Sequence, residues 1–213
     1  MKVGHFIAIV TTSLFINNAA AFIDDFEDGN VDMWSTFVIG SGSTGVEDNN
    51  GSLRAFVRHS GNGSHSLSKY FDFDAGRFLS FDMQVIATPA NTVIAVGGVK
   101  ISFLTLFNAL LGRINYVHHR SGTIGANQIG VDETVNNFEG SLLDFAALAG
   151  LDQNSGIAKF SLEVFAIAQT AFIGGSSSAT VWFDSVSTVP VPAAVWLFGS
   201  ALGLIGWTRH RAA

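Results

Sequence analysis

Between positions 79 and 85 the chain reads Leu-Ser-Phe-Asp-Met-Gln-Val, apolar at every odd position and polar at every even one. Successive side chains of an extended chain point to opposite faces, so this stretch is expected to bury Leu79, Phe81, Met83 and Val85 and to show Ser80, Asp82 and Gln84 to water. Leu67 to Phe73 alternates in the same way. Both read as half-buried antiparallel strands.

Further strand-like runs fall at Trp34 to Ile39, Ser52 to Arg58, Thr92 to Leu104, Arg113 to His119, Gly156 to Ala168 and Ala179 to Ser187. Gly, Ser, Asn and Asp clusters separate them, and Gly40 to Gly45 and Gly174 to Ser178 read as turns. Phe138 to Leu151 is the exception, where Phe138, Leu142, Phe145 and Leu148 are spaced for a short helix or a loop lying on the sheet. About nine to eleven strands with little helix predict an all-β fold, a two-sheet antiparallel β-sandwich of jelly-roll type. Nineteen phenylalanines supply ample core, and the absence of cysteine leaves that core to hold the fold without disulfides.

The two ends have a different character. Lys2, the apolar run Val3 to Ile16 and the small residues Ala19 and Ala21 have the order of a secretory signal, with signal peptidase cutting after Ala21. From Val189 to Trp207 nineteen residues carry no charge, enough at ~1.5 Å each to cross a ~30 Å hydrocarbon layer. Arg209 and Arg211 follow, placing the basic end in the cytoplasm. The expected organisation is therefore a signal peptide over 1–21, a β-sandwich domain over 22–188 and a tail with a single transmembrane helix over 189–213. The middle portion holds all 17 acidic residues and 8 of the 11 basic ones. A body near −9 argues against nucleic acid, whose phosphates require a basic face.

The string Pro190-Val191-Pro192-Ala193-Ala194-Val195-Trp196-Leu197-Phe198-Gly199-Ser200, with its apolar helix and basic terminus, resembles the PEP-CTERM sorting signal in its VPxPAAxWLFGS form. The resemblance covers about the last twenty-five residues and departs from the family's name at Val191, where Glu is expected. It implies processing near Pro190 and Pro192 by an exosortase-type membrane protease, with Arg209 and Arg211 as the stop. It also implies transient residence in the inner membrane, then delivery to the surface or extracellular matrix of a Gram-negative bacterium. A Pro-x-Pro segment suits a protease handle, because proline holds the chain extended and lacks the N–H a helix would use. A permanent membrane anchor is the alternative.

The body opens Asp24-Asp25-Phe26-Glu27-Asp28-Gly29 and closes Trp182-Phe183-Asp184-Ser185-Val186, and these ends resemble those of the jelly rolls of carbohydrate-binding modules and galactose-binding-like domains. In such domains carboxylates from the two segments often hold a structural calcium. By that resemblance Glu27 and Asp184 are ligands, with Asp25 a further candidate; the other reading is a solvated acidic turn and a strand Asp. No cofactor is otherwise required.

Catalytic patterns are missing. His118 and His119 are neighbours on a strand and face opposite ways, and no HExxH, CxxC or GxSxG occurs. His59 and His65, in a Gly-Ser-Asn stretch, read as solvated. Lys159, Ser161 and Glu163 share one strand face, an ordinary solvent face with an ion pair. Trp34, Tyr70, Tyr116 and Trp182 are assigned to the core. The leading expectation is a non-enzymatic exported protein, structural or adhesive and associated with extracellular polysaccharide or biofilm. The alternatives are a carbohydrate-binding module with a defined glycan ligand and, behind it, an envelope enzyme.

Overall fold

The computed structural model describes residues 21–49, 51–88, 94–119, 127–169 and 177–190. The expected signal segment before Ala21, and the sorting tail after Pro190 with its helix and basic stop, lie outside the described residues. Within them no helix is long and apolar enough to cross a membrane.

Among the described residues ten strands and one short helix follow one another: β1 (Phe22–Asp24), β2 (Ser35–Asp48), β3 (Leu53–Asp72), β4 (Arg77–Thr88), β5 (Ala95–Leu104), β6 (Leu110–His119), β7 (Gln128–Gly130), β8 (Asn136–Ser141), α1 (Leu142–Leu148), β9 (Lys159–Ala168) and β10 (Ser178–Pro190). The protein is all-β, its strands joined in one sheet in the order β7-β6-β5-β9-β3-β10-β4-β8, with β2 on β3 and β1 on β10. Pairing is antiparallel except between β6 and β7, which run parallel.

The long β2–β3 hairpin folds this sheet over. Residues 55–60 of β3 pair with β10, whereas residues 63–72 pair with β9. The bend between them uses Gly61 at φ 83 and Gly63 at φ 142, conformations a side chain would resist. β2 follows across the bend with a register shift between Ile39 and Ser41. The stretch Gly40 to Gly45, expected as a turn, is therefore the bent middle of a strand. Small residues are needed there because the strand changes direction, not because it ends.

One half carries β10, β4 and β8, the other β9, β5, β6 and β7, and their inner faces meet. A methyl group on Gly97 of β5 would lie 2.6 Å from Val181 on β10 and 2.7 Å from Val85 on β4, so no side chain fits between the halves at that point. The alternation read for β4 holds: Leu79, Phe81, Met83, Val85 and Ala87 are buried while Ser80, Asp82 and Gln84 are only partly covered. Aromatic rings fill one end of the core. Phe81 stacks on Phe138 at 5.0 Å and meets Phe183 at 5.6 Å and Tyr116 at 6.2 Å, and Trp34 packs edge-on against Phe183 at 5.6 Å.

The Phe138 to Leu151 segment divides. Its first residues complete β8 beside β4, and only Leu142–Leu148 coil. Ser141 starts that helix through a reciprocal cap: its hydroxyl accepts from Asp144 N at 3.1 Å, and the Asp144 carboxylate accepts from Ser141 N at 3.2 Å. Leu142, Phe145 and Ala146 turn inward and close the aromatic end.

Candidate functional site

The exterior of the β9-β5-β6 half carries a groove of about 540 Å³. Register places its lining in rows that cross the strands. One row runs Phe37 (β2), Ser66 (β3), Phe165 (β9), Gly98 (β5) and Val117 (β6). The adjacent row runs Ser35, Ser68, Glu163, Lys100, Asn115 and Gln128, ending on β7. On the other side of the apolar row stand Ile167 and Val96, directly opposite each other. Because side chains alternate along every strand, an apolar strip and a polar strip lie side by side on a single face.

Gly98 matters to the shape. The neighbouring strand's Tyr116 carbonyl occupies the place of its missing side chain, leaving a low point between Phe165 and Val117. Phe37 stays 58% exposed at the β2 end, while Phe165 is nearly covered.

In the polar strip Lys100 Nζ pairs with Glu163 Oε2 at 2.8 Å and lies 5.4 Å from the centre of the Phe165 ring. Glu163 thus pairs with Lys100 from the next strand, not with Lys159, whose ammonium donates to Asn108 Oδ1 at 3.2 Å. Arg113, which also lines the groove, is exposed and has no carboxylate partner among the described residues. Glu163 is the single carboxylate of the described lining.

The aromatic residues singled out in the sequence separate. Trp34 and Tyr116 are buried as expected, Trp34 donating from Nε1 to Asp24 Oδ2 at 2.8 Å. Trp182 is half-buried and donates to Glu47 Oε1 at 2.6 Å. Tyr70 is 61% exposed, a correction to its assignment to the core. It stands opposite Ser161, one row beyond the polar strip. The alternation of Leu67 to Phe73 already carried that signal, since Tyr70 shares its parity with Ser68 and Asp72 and not with Leu67 and Phe71.

The expected calcium ligands come to one neighbourhood without converging on one point. Glu27 Oε1 accepts from Leu53 N at 3.3 Å, and Asp184 Oδ2 accepts from the Ser52 hydroxyl at 3.3 Å, so both ends of the body do meet the start of β3. Asp25 instead accepts from Glu27 N at 3.3 Å. Arg54 Nε lies 3.7 Å from Asp184 Oδ2, and Ser185 N donates to Oδ1 at 2.7 Å. Burial raises the Asp184 carboxyl above the usual carboxylate value, opposed by the Ser185 N–H and by Arg54. Among the described residues no three His, Asp or Glu side chains group to hold a metal. With a guanidinium already beside Asp184, the donors as placed do not fit calcium, which requires six to eight oxygens.

His59 and His65 are not solvated. Both lie on β3, facing each other across its bend with ring centres 5.8 Å apart, and are 0% and 3% exposed. His118, by contrast, sits on β6 with Nδ1 2.7 Å from the Val131 carbonyl and Nε2 3.4 Å from Glu133.

Comparison with solved structures returns carbohydrate-binding modules. A family 11 module from Clostridium thermocellum in complex with a β-1,3-1,4-mixed-linked tetrasaccharide is similar at 17% identity and TM-score 0.46, over 80% of this chain and 95% of that one. A non-crystalline cellulose specific module, CBM28, is similar at 16% identity and TM-score 0.44, over 76% and 89%. TmCBM61 in complex with β-1,4-galactotriose is similar at 13% identity and TM-score 0.41, over 78% and 94%. No protein-family model and no curated protein matches the sequence.

Proposed function

We propose that the groove on the β9-β5-β6 exterior is a binding site for a glycan chain, on a non-catalytic, jelly-roll-like sandwich exported to the cell surface or matrix. The observation that carries this reading is the pairing of strips. A pyranose ring has an apolar C–H face and a rim of hydroxyls. Phe37, Ile94, Val96 and Ile167 offer a surface for the first, and Glu163, Lys100, Asn115, Gln128 and Arg113 offer donors and acceptors for the second. The open form of the face favours an extended polymer over a small enclosed ligand.

Hydrolysis by paired carboxylates is disfavoured, because Glu163 is already held by Lys100 and has no carboxylate partner in the described lining. Affinity electrophoresis of the full chain through gels containing neutral or acidic polysaccharides tests the reading. At least one polymer should retard the protein, and Phe37→Ala, which removes an exposed platform, should weaken that retention about tenfold. Equal mobility in every gel, or retention indifferent to Phe37, would refute it.

The same reading includes the tail. Pro190 lies on β10, opposite Arg77, and the rest of the proposed sorting motif lies outside the described residues. The intact mass of the protein from its native host should lack both 1–21 and the tail. Alanines at Pro190 and Pro192 should leave a heavier species in the inner membrane. A wild-type mass that keeps Arg209 and Arg211 would count against sorting.

A further inference from the structure

Along one long side of the sheet, β2 has no partner but β3 among the described strands. Ser35 through Ser43 are exposed at every position, and Phe37, Val38 and Ile39 are 58%, 50% and 55% exposed although they alternate between the two faces. An edge of this kind is a template for another strand, and folded proteins blunt such edges with charge, proline, shortness or a bulge. The other edges are short: β7 has three residues, and β8 has six, including Glu139. β2 runs from Ser35 to Val46 without a charge or a proline, and its one interruption, at Gly40, leaves the apolar triplet on a regular segment.

The chemistry of this edge selects its occupant. The partner must be an extended strand that brings no charge into the seam and sets apolar side chains against Phe37, Val38 and Ile39. A second β2 meets both requirements, and although the body carries 17 acidic residues, none lies within this stretch to repel its copy. We propose that the protein forms a two-fold dimer by antiparallel pairing of β2 with β2 of a second copy, centred on Val38. Phe37 of one copy then lies beside Ile39 of the other, and because the interface is isologous, the assembly closes at two. The pairing does not depend on what the groove binds.

The natural absence of cysteine allows a clean test. In the full-length chain, Val38→Cys places one thiol on the proposed axis, and Val135→Cys places one at a comparably exposed valine, 40% exposed, between β7 and β8. Under mild oxidation Val38→Cys should cross-link at least about tenfold faster than Val135→Cys, reflecting a high local concentration across the seam. Adding Ile39→Lys to Val38→Cys should abolish the cross-link while leaving thermal unfolding unchanged. Equal cross-linking of the two thiols, as association through the tail would give, overturns the proposal. So does a Val38→Cys cross-link that survives Ile39→Lys.

Discussion

Phe81→Ala should lower stability by about 3–5 kcal/mol, a large share of the roughly 5–15 kcal/mol that holds a typical domain. Phe81 is 1% exposed and joins β4 to three other strands through ring contacts with Phe138 on β8, Tyr116 on β6 and Phe183 on β10. Truncation removes the ring's transfer free energy and leaves a cavity walled by other rings, which have little freedom to close it. Urea titration should show the midpoint falling with little change in slope. Phe81→Leu, which keeps most of the volume, should cost much less, and Phe107→Ala, at a residue 89% exposed, should cost almost nothing. A Phe81→Ala loss within about 0.5 kcal/mol of the Phe107 variant, the usual scale for surface substitutions, would mean that the aromatic end is not packed as described.

The features of this core that could be read in the sequence are the local ones. A period of two fixes inside and outside for β4 without knowledge of its neighbours, and the same rule separates Phe160, Leu162 and Val164 from Ser161 and Glu163 on β9. The bend of β2 and β3 was not legible, because small and polar residues at a crossing resemble those at a turn. That ambiguity of the sequence had two consequences. It cut β3 into two strands, and it placed His59 and His65 in solvent when the bend in fact brings them face to face inside.

The groove was legible only in part. Glu163 was visible as a member of a polar strand face, but its partner Lys100 is 63 positions away and becomes its neighbour only through the β5–β9 register. The rows Phe37-Ser66-Phe165-Gly98-Val117 and Glu163-Lys100-Asn115-Gln128 each draw one residue from each strand. No local spacing encodes them. The contacts at the two ends of the body were not legible either: Glu27 accepts from Leu53 N, and the cation beside Asp184 is Arg54.

The buried histidine pair predicts a second large effect, a loss of stability in mild acid. A methyl group at Gly42 would sit 2.5 Å from His65 Nδ1 and 3.0 Å from His59 Nδ1, so both rings turn a nitrogen toward the same small space. Nδ1 of His65 has no hydrogen-bond partner among the described residues, and the His59 ring has the Asn62 backbone beside it. Among the described residues the surrounding inner face offers no charge: β10 presents Ala179, with Ser177 just before it, β4 Ala87, β5 Ala95 and β9 Ala166 and Ala168, all buried. Arg58 and Glu47 pair with each other at 2.9 Å on the opposite face. Burial therefore holds both histidines below their ordinary value of 6.5, against a smaller pull from the Asn62 backbone at His59, and the neighbouring ring adds to the effect at His65.

The unfolded chain, whose histidines titrate near 6.5, binds protons that the folded chain refuses. Stability is thus complete above that pH and falls as the solution is acidified through 6.5 toward the lower folded-state values, with a limiting slope of about 1.4 kcal/mol per pH unit for each ring. The carboxylates act elsewhere. Asp132 and Asp152, lowered by hydrogen bonds from Thr134 and Ser155, withdraw their support only below about 4, and Asp184, raised by burial, acts with the opposite sign. Urea unfolding at a series of pH values from 7.5 to 5, compared with the double variant His59→Leu, His65→Leu, isolates the pair. The wild type should lose stability steeply across this window and the double variant should be nearly flat, because leucine cannot take the proton that drives the bend apart. A flat wild-type profile, or one whose slope the double variant shares, would mean that the two rings find partners in solution and carry no acid sensitivity.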